Sequence, residues 1–441
     1  MSAPAPQQST DIHAKALAIN LESTTYGTFA EIGAGQEVAR WFLSVGAASG
    51  TVAEAISAYD KTVSDDTYGA GTRYVSKERL LAMLDREYQL LLTRLAKERG
   101  ARTRFFVFAD TVSTRNYQGT NEQHGWLGFR FQAEPGGQPN QILLHITLGD
   151  STPQLQQQAI GNLGVNLIYA AYHQRSSPEV FLAGLFDDLS RERIEIDVLE
   201  LTGPAFEGID SRLWCLTALR RGMSHAFIFD SNTQVVEPST PLHKRPLLAQ
   251  RTFRGHPGPS AAETLRSARQ KFLAEGIPFD REPLAVFEVS IQSLEEAAAT
   301  DNAELLARIE RLAALGTVLV TDYPEGYQVL DYLRRYTAEP ICVILWISMF
   351  LKLMEERVLS SKPGAVLEEF GRLLVTDVTV YVAPMHKESL VAALGSLPEG
   401  LVRESPGRNL LTLDDFLPKP PLDHLFQYLR AAGRIVPLEK T

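Results

Sequence analysis

The chain has 441 residues, 53 acidic and 43 basic, for a net charge of −10. That length exceeds one hydrophobic core and suits two or three, and 44% hydrophobic with 22% charged residues is an ordinary globular composition. An acidic chain repels polyphosphate, so nucleic acid is not an expected partner. Cys215 and Cys342, each alone, provide neither a disulfide framework nor metal-ligand spacing and suit a reducing cytoplasm.

Residues 1–14 read as a flexible arm, and their opening, MSAPAPQQST, lacks the basic and apolar regions of a secretory signal. KALAINLE, at 15–22, reads as a short strand. The stretch GTFAEIGAGQEVARWF, at 27–42, raises the question of a cofactor turn. Glu31, Gly33 and Gly35 match, in order, the acid and Gly-x-Gly of nucleotide and S-adenosylmethionine sites. Three features oppose it. Glu37 stands where a third glycine belongs, TFAEI makes a poor strand, and Thr28-x-x-Glu31 has the form of a capping box, repeated at Thr51-x-x-Glu54. Phe29, Ile32, Val38, Trp41, Phe42 and Val45 also share one helical face. The expectation is a helix over 28–45 with both glycines inside it, another backbone or a ligand packed against them, and a second helix over 51–63.

A long amphipathic helix is expected over 77–99, stopped by Gly100. RFFVFAD (104–110) reads as a strand buried on both faces, and HGWLGFRFQ with QILLHITLG as an antiparallel pair. Helices follow at 153–173 and 178–190, then strand IEIDVLEL, helix SRLWCLTALRRG and strand HAFIFD. The Pro-rich stretch 237–260 reads as a domain connection or functional loop. Beyond it come helix 261–275, strand LAVFEVS, helix 295–315, strand TVLVTD, helix EGYQVLDYLRRY, strand ICVILWI, helices 349–359 and 364–374, and strand VTVYVAPM. The run PICVILWISMFLKLM (340–354) is broken by Lys352 and too short to span a bilayer. The expected fold class is α/β, with a mixed first part containing the antiparallel pair and a second part of βα crossover units on a mostly parallel sheet. The expected divisions are an α/β domain over 15–236, the connection, a parallel α/β domain over 261–385, and a tail over 386–441 carrying a short helix.

In open α/β sheets ligands bind beyond the carboxyl ends of strands. Polar groups gather at those ends, which marks Asp110, Thr111, Arg115, His124, Asp322 and Tyr323 as candidate ligand-binding residues. Asp110 and Arg115 in one loop can orient a phosphate or a metal-bound ligand, against the plainer reading of a loop ion pair, and His124 beside a carboxylate can act as a base, against the plainer reading of a strand-edge histidine bonded to backbone. His145, among apolar neighbours, reads as structural. FIFDSNT resembles the start of haloacid-dehalogenase phosphatases, but Asn232 replaces their second aspartate, so Asp230 reads as a turn cap. His243, Lys244, Arg245, Arg251, Arg254 and His256 form a local basic patch able to hold a phosphate or an acidic surface. Walker, Gly-x-Ser-x-Gly, Cys-x-x-Cys and His-Glu-x-x-His motifs are absent, no metal site is expected, and the cofactor is left open.

YGTFAEIGAGQEVARWF, ASGTVAEAISAYD, HGWLGFRFQ, LGVNLIYAAY, EIDVLELTGPAFEGIDSRL, LRRYTAEPI, VLEEFGRLL and YVAPM are similar to stretches of a family of uncharacterised bacterial cytosolic proteins. Members often carry the label nicotinate-nucleotide adenylyltransferase. The resemblance covers most of the chain and implies transfer of AMP from ATP to a mononucleotide. This sequence departs from that chemistry's His-x-Gly-His and Ser-Thr-x-x-Arg signatures, so no catalytic residue carries over. Two functions remain in view: a site for a small phosphate- or nucleotide-containing ligand, or a non-catalytic protein that assembles with copies of itself.

Overall fold

The structure, a computed structural model, describes residues 11–71, 73–252, 261–276, 279–298, 301–354, 371–372, 374, 377–395, 402, 409–420 and 422–439. The chain divides into two compact units, Met1–His225 and Ala226–Thr441. Both are α/β, as the alternation of strands and helices requires.

In the first unit the elements are α1 (Ile12–Asn20), β1 (Thr25–Ile32), α2 (Glu37–Ser44), β2 (Val52–Ile56), α3 (Lys61–Tyr68), α4 (Lys77–Arg99), β3 (Arg104–Ser113), β4 (His124–Gln132), β5 (Pro139–Leu148), α5 (Pro153–His173), α6 (Pro178–Leu185), β6 (Ile194–Thr202) and α7 (Ser211–Arg220). The strands form one sheet in the order β2-β1-β3-β4-β5-β6. β1 is parallel to β2 and β3, and β3 to β6 are successively antiparallel. α2 and α5 cover one face, where Phe29 meets Phe42 and Phe108. On the other face α4 lays Leu80 and Leu84 against Gly128, where a side chain would collide with Leu84.

The second unit contains β7 (Ala226–Phe229), β8 (Val235–Val236), α8 (Ser239–Leu242), β9 (Leu247–Arg251), α9 (Ala261–Ala274), β10 (Leu284–Ser290), α10 (Ile291–Ala298), α11 (Asn302–Ala313), β11 (Thr317–Thr321), α12 (Gly326–Arg334), β12 (Ile341–Trp346), α13 (Ile347–Met354), β13 (Val378–Ala383), β14 (Met385–His386), α14 (Lys387–Leu394), β15 (Leu410–Leu411), α15 (Leu422–Ala431) and β16 (Ile435–Pro437). Its main sheet runs β16-β13-β12-β9-β10-β11-β7-β8, parallel from β16 to β11. Both faces are covered. Leu247, Val343 and Val380 enter a core with Leu330, Leu333 and Phe350, and Leu248, Ile344 and Tyr381 enter another with Ala268 and Phe272. Burial on both faces is why these strands read as continuous apolar runs.

Several local expectations change. KALAINLE belongs to helix α1, started by Asp11, whose carboxylate accepts from the His13 N–H at 3.0 Å. Buried Lys15 then points inward, donating to Asn166 at 2.7 Å and pairing with Asp187 at 2.6 Å. A strand would alternate these residues across two faces; the helix keeps Ile12, Lys15, Ala16 and Ile19 together. Residues 11–14 are therefore structured, and 1–10 lie outside the described residues.

The helices expected over 28–45 and 51–63 are also corrected. Gly27-Thr28-Phe29-Ala30-Glu31 and Thr51 to Glu54 lie in or at the start of two strands that pair side by side, Thr28 opposite Glu54. β1 is hydrogen-bonded on both sides, and that ladder outweighs a local cap worth about 1 kcal/mol. The helix expected over 178–190 stops at Leu185, and that over 295–315 is two helices, the second capped by Asp301. Within 237–260, Leu247–Arg251 is a central strand of the second sheet. The helix expected over 349–359 begins earlier, at Ile347, and its part beyond 354 lies outside the described residues, as does most of 364–374.

Candidate functional site

The carboxyl ends of β1 and β3 coincide with the start of β4, the end of β5 and the start of β6. One edge of the first sheet therefore gathers Glu31, Asp110, Thr111, Ser113, His124, Thr147 and Asp197, with His145 two residues inside it. Asp110, Thr111, Arg115 and His124 of the sequence candidates belong to this edge or its loop, while Asp322 and Tyr323 belong to the second unit.

On the α2 face, Glu31 and Asp110 are register partners on parallel strands, which sets their backbones about 4.8 Å apart. Both are buried. The Glu31 carboxylate accepts from the N–H groups of Val38 at 3.0 Å and Ala39 at 2.9 Å. It fills the seat that a phosphate would take at the start of α2. The strand–glycine turn–helix that the sequence reading set aside is thus present in the backbone, with Gly33 at φ +96° and Gly35 at φ +82°, and a side chain occupies its anion position. Asp110 accepts from the Ile32 N–H at 3.2 Å through Oδ1, and its Oδ2 is buried without a hydrogen-bond partner among the described residues. Burial pushes Glu31 up to about 7 against its helix N–H bonds, and burial beside Glu31 raises Asp110 well above the usual carboxylate range.

The expected Asp110–Arg115 pair does not form. Asp110 lies in β3 with Glu31 as its charged neighbour. The Arg115 guanidinium folds over Gly119, and its backbone N–H donates to Gln156 at 2.8 Å. The Thr111 hydroxyl donates to the Tyr74 carbonyl at 2.7 Å.

On the α4 face, His124 Nδ1 lies 2.9 Å from His145 Nε2, and His145 Nδ1 meets the Asp197 carboxylate. Thr147 donates to the other Asp197 oxygen at 2.8 Å. His124 thus has a ring–ring contact that neither reading of it anticipated. Asp197, to which no role was assigned, owes its position to a register shift. His145 and Ile146 oppose Val198 and Ile196, leaving Asp197 as the extra residue of a bulge. The only sequence signal for it was an aspartate inside an apolar strand.

In the second unit, Arg251, Glu288 and Thr321 meet at the ends of β9, β10 and β11. Arg251 Nε is 3.1 Å from Glu288 Oε2, and Thr321 donates to Glu288 Oε1 at 2.7 Å. Burial raises Glu288 against the pull of Arg251. Arg251 also donates to the Tyr323 carbonyl at 2.9 Å, so one sequence candidate does adjoin this group. Gln250 beside it is buried, with Oε1 lacking a hydrogen-bond partner among the described residues. Of the expected basic patch, Arg251 turns to Glu288 and Arg245 to the Glu282 carbonyl, while Arg254 and His256 lie outside the described residues. Asp230 is the expected turn cap, accepting from Asn232 and Gln234 N–H groups at 2.9 Å each.

Fold and site define a two-unit α/β protein with polar groups clustered at strand ends. No protein-family model and no curated protein matches the chain. Similar solved structures include a competence/damage inducible protein from Agrobacterium tumefaciens, at 17% identity and TM-score 0.27, covering 38% of this chain and 98% of that one. A competence-damaged protein (CinA) superfamily protein from Enterobacter cloacae gives 9% identity and TM-score 0.28, covering 39% and 98%. Another from Escherichia coli gives 14% and 0.24, covering 42% and 94%. At these values no residue role passes to this chain. No helix among the described residues is long and apolar enough to cross a membrane.

Proposed function

We propose that the second unit binds a phosphate-bearing, nucleotide-type ligand at the carboxyl ends of β9, β10 and β12. The observation that carries this reading is the strand order. The chain runs β9, β10, β11 to one side and then returns to place β12 on the other side of β9. The two crossover directions part beside β9, and ligands of open parallel sheets sit in that crevice. β9 ends there in Gln250, with a buried acceptor lacking a partner among the described residues, and Arg251, a fixed cation. An acceptor suits a ribose hydroxyl or a base amine, and a guanidinium suits a phosphate.

Calorimetric titration of the full chain with ATP, AMP, NAD and inorganic phosphate tests this. Binding of at least one nucleotide is expected, weakened about tenfold in Gln250→Leu, the value of one hydrogen bond. No binding of any of the four at millimolar concentration overturns the reading, as does undiminished binding in both Gln250→Leu and Arg251→Met.

A further inference from the structure

The histidine pair of the first unit is built with more support than a structural contact needs. The bulge in β6 places Asp197 against His145 Nδ1, and Thr147 holds the second carboxylate oxygen at 2.8 Å. With the Asp197 carboxylate accepting from His145 Nδ1–H, the neutral ring carries its lone pair on Nε2. Trp126 packs against the same ring, with centroids 5.0 Å apart. His145 and Asp197 are buried, and His124 is half-buried at the sheet edge. The oriented Nε2 faces His124 Nδ1 across 2.9 Å.

We propose that His124 and His145 bind a divalent transition-metal ion of the zinc type, with Asp197 as the positioning carboxylate behind His145. Neutral imidazoles oriented by a carboxylate on the far nitrogen are the donors such ions favour. Two nitrogens bound tetrahedrally to zinc at about 2.0–2.1 Å stand about 3.3 Å apart. The observed 2.9 Å reaches that with a small rotation of the half-buried His124 ring. Two imidazoles leave the remaining positions to oxygen donors, water among them. This departs from the expectation of no metal, which rests on the absence of Cys-x-x-Cys and His-Glu-x-x-His motifs. Here the ligands lie 21 residues apart on adjacent strands.

The test uses the full chain after chelator dialysis, titrated with Zn²⁺ against a competing dye and with Co²⁺ followed by its visible absorption. About one equivalent is expected, lost in His124→Asn and His145→Asn. In Asp197→Asn the affinity should fall about 10- to 100-fold with the ligands still present. Because these variants can disturb the sheet, imidazole ¹⁵N spectra of the unsubstituted chain give a second readout, in which the His124 and His145 signals shift on adding Zn²⁺. Absence of bound metal, unmoved signals for both rings, or full binding in both histidine variants overturns the proposal and leaves a shared proton as the link between the rings. None of these readouts depends on nucleotide binding, so the two proposals fail separately.

Discussion

Replacing Gly33 by alanine should cost about 4 kcal/mol or more, a large share of the stability of an ordinary domain, whereas Gly35→Ala should cost about 1 kcal/mol. Both glycines have positive φ, +96° and +82°, which an L side chain adopts at a cost of about 1–2 kcal/mol. The difference lies in the space. A Cβ on Gly33 overlaps the carbonyl oxygen of Val112, which is held in β3. At Gly35 the nearest atom is Gln157 Nε2, the end of a flexible side chain, at 3.8 Å. Chemical denaturation of the two variants checks this, and equal losses would remove the strand–turn–helix geometry as the cause. The expected close approach of a backbone thus holds at Gly33, in a turn and not within a helix.

Acid should stabilise the first unit through Glu31 and Asp110. Glu31 rises from 4.5 to about 7 on folding, and Asp110 rises in the same direction. A raised folded pKa means that the native state holds the proton more tightly than the unfolded chain. The stabilisation is complete below the unfolded value and is lost as pH climbs through the folded one. For Glu31 that window runs from about 4.5 to about 7 and is worth at most about 3 kcal/mol. Scanning calorimetry at about pH 5 and about pH 8 should show a decline in the transition of this unit, and Glu31→Gln and Asp110→Asn should each flatten it. The glutamine still accepts from one α2 N–H, so the helix start is retained in part. Variants that keep the full wild-type slope would show that the pair is not the source of the pH dependence.

The alternation of strand and helix was legible in the sequence wherever a run was long and of one period. RFFVFAD, IEIDVLEL and LAVFEVS are strands, ICVILWI is a strand up to Trp346, and the helices over 77–99 and 153–173 match their observed spans. The site was legible only as a set of strand ends. Asp110, Thr111 and His124 do lie at one edge, but the pattern around Glu31 predicts a helix and no local pattern marks Asp197.

By itself the sequence determined the α/β class and the buried parallel strands, because each depends on residues a few positions apart. Tertiary structure decided the rest. TFAEI carries a capping pattern and a poor strand pattern, yet pairing with β2 and β3 makes it a strand. KALAIN carries no decisive period, and burial of Lys15 against Asn166 and Asp187, more than 150 positions away, accompanies the helix. The partner of His145 follows from a one-residue bulge 52 positions along the chain. No local pattern encodes such a register, because it is set by which strands the sheet brings together.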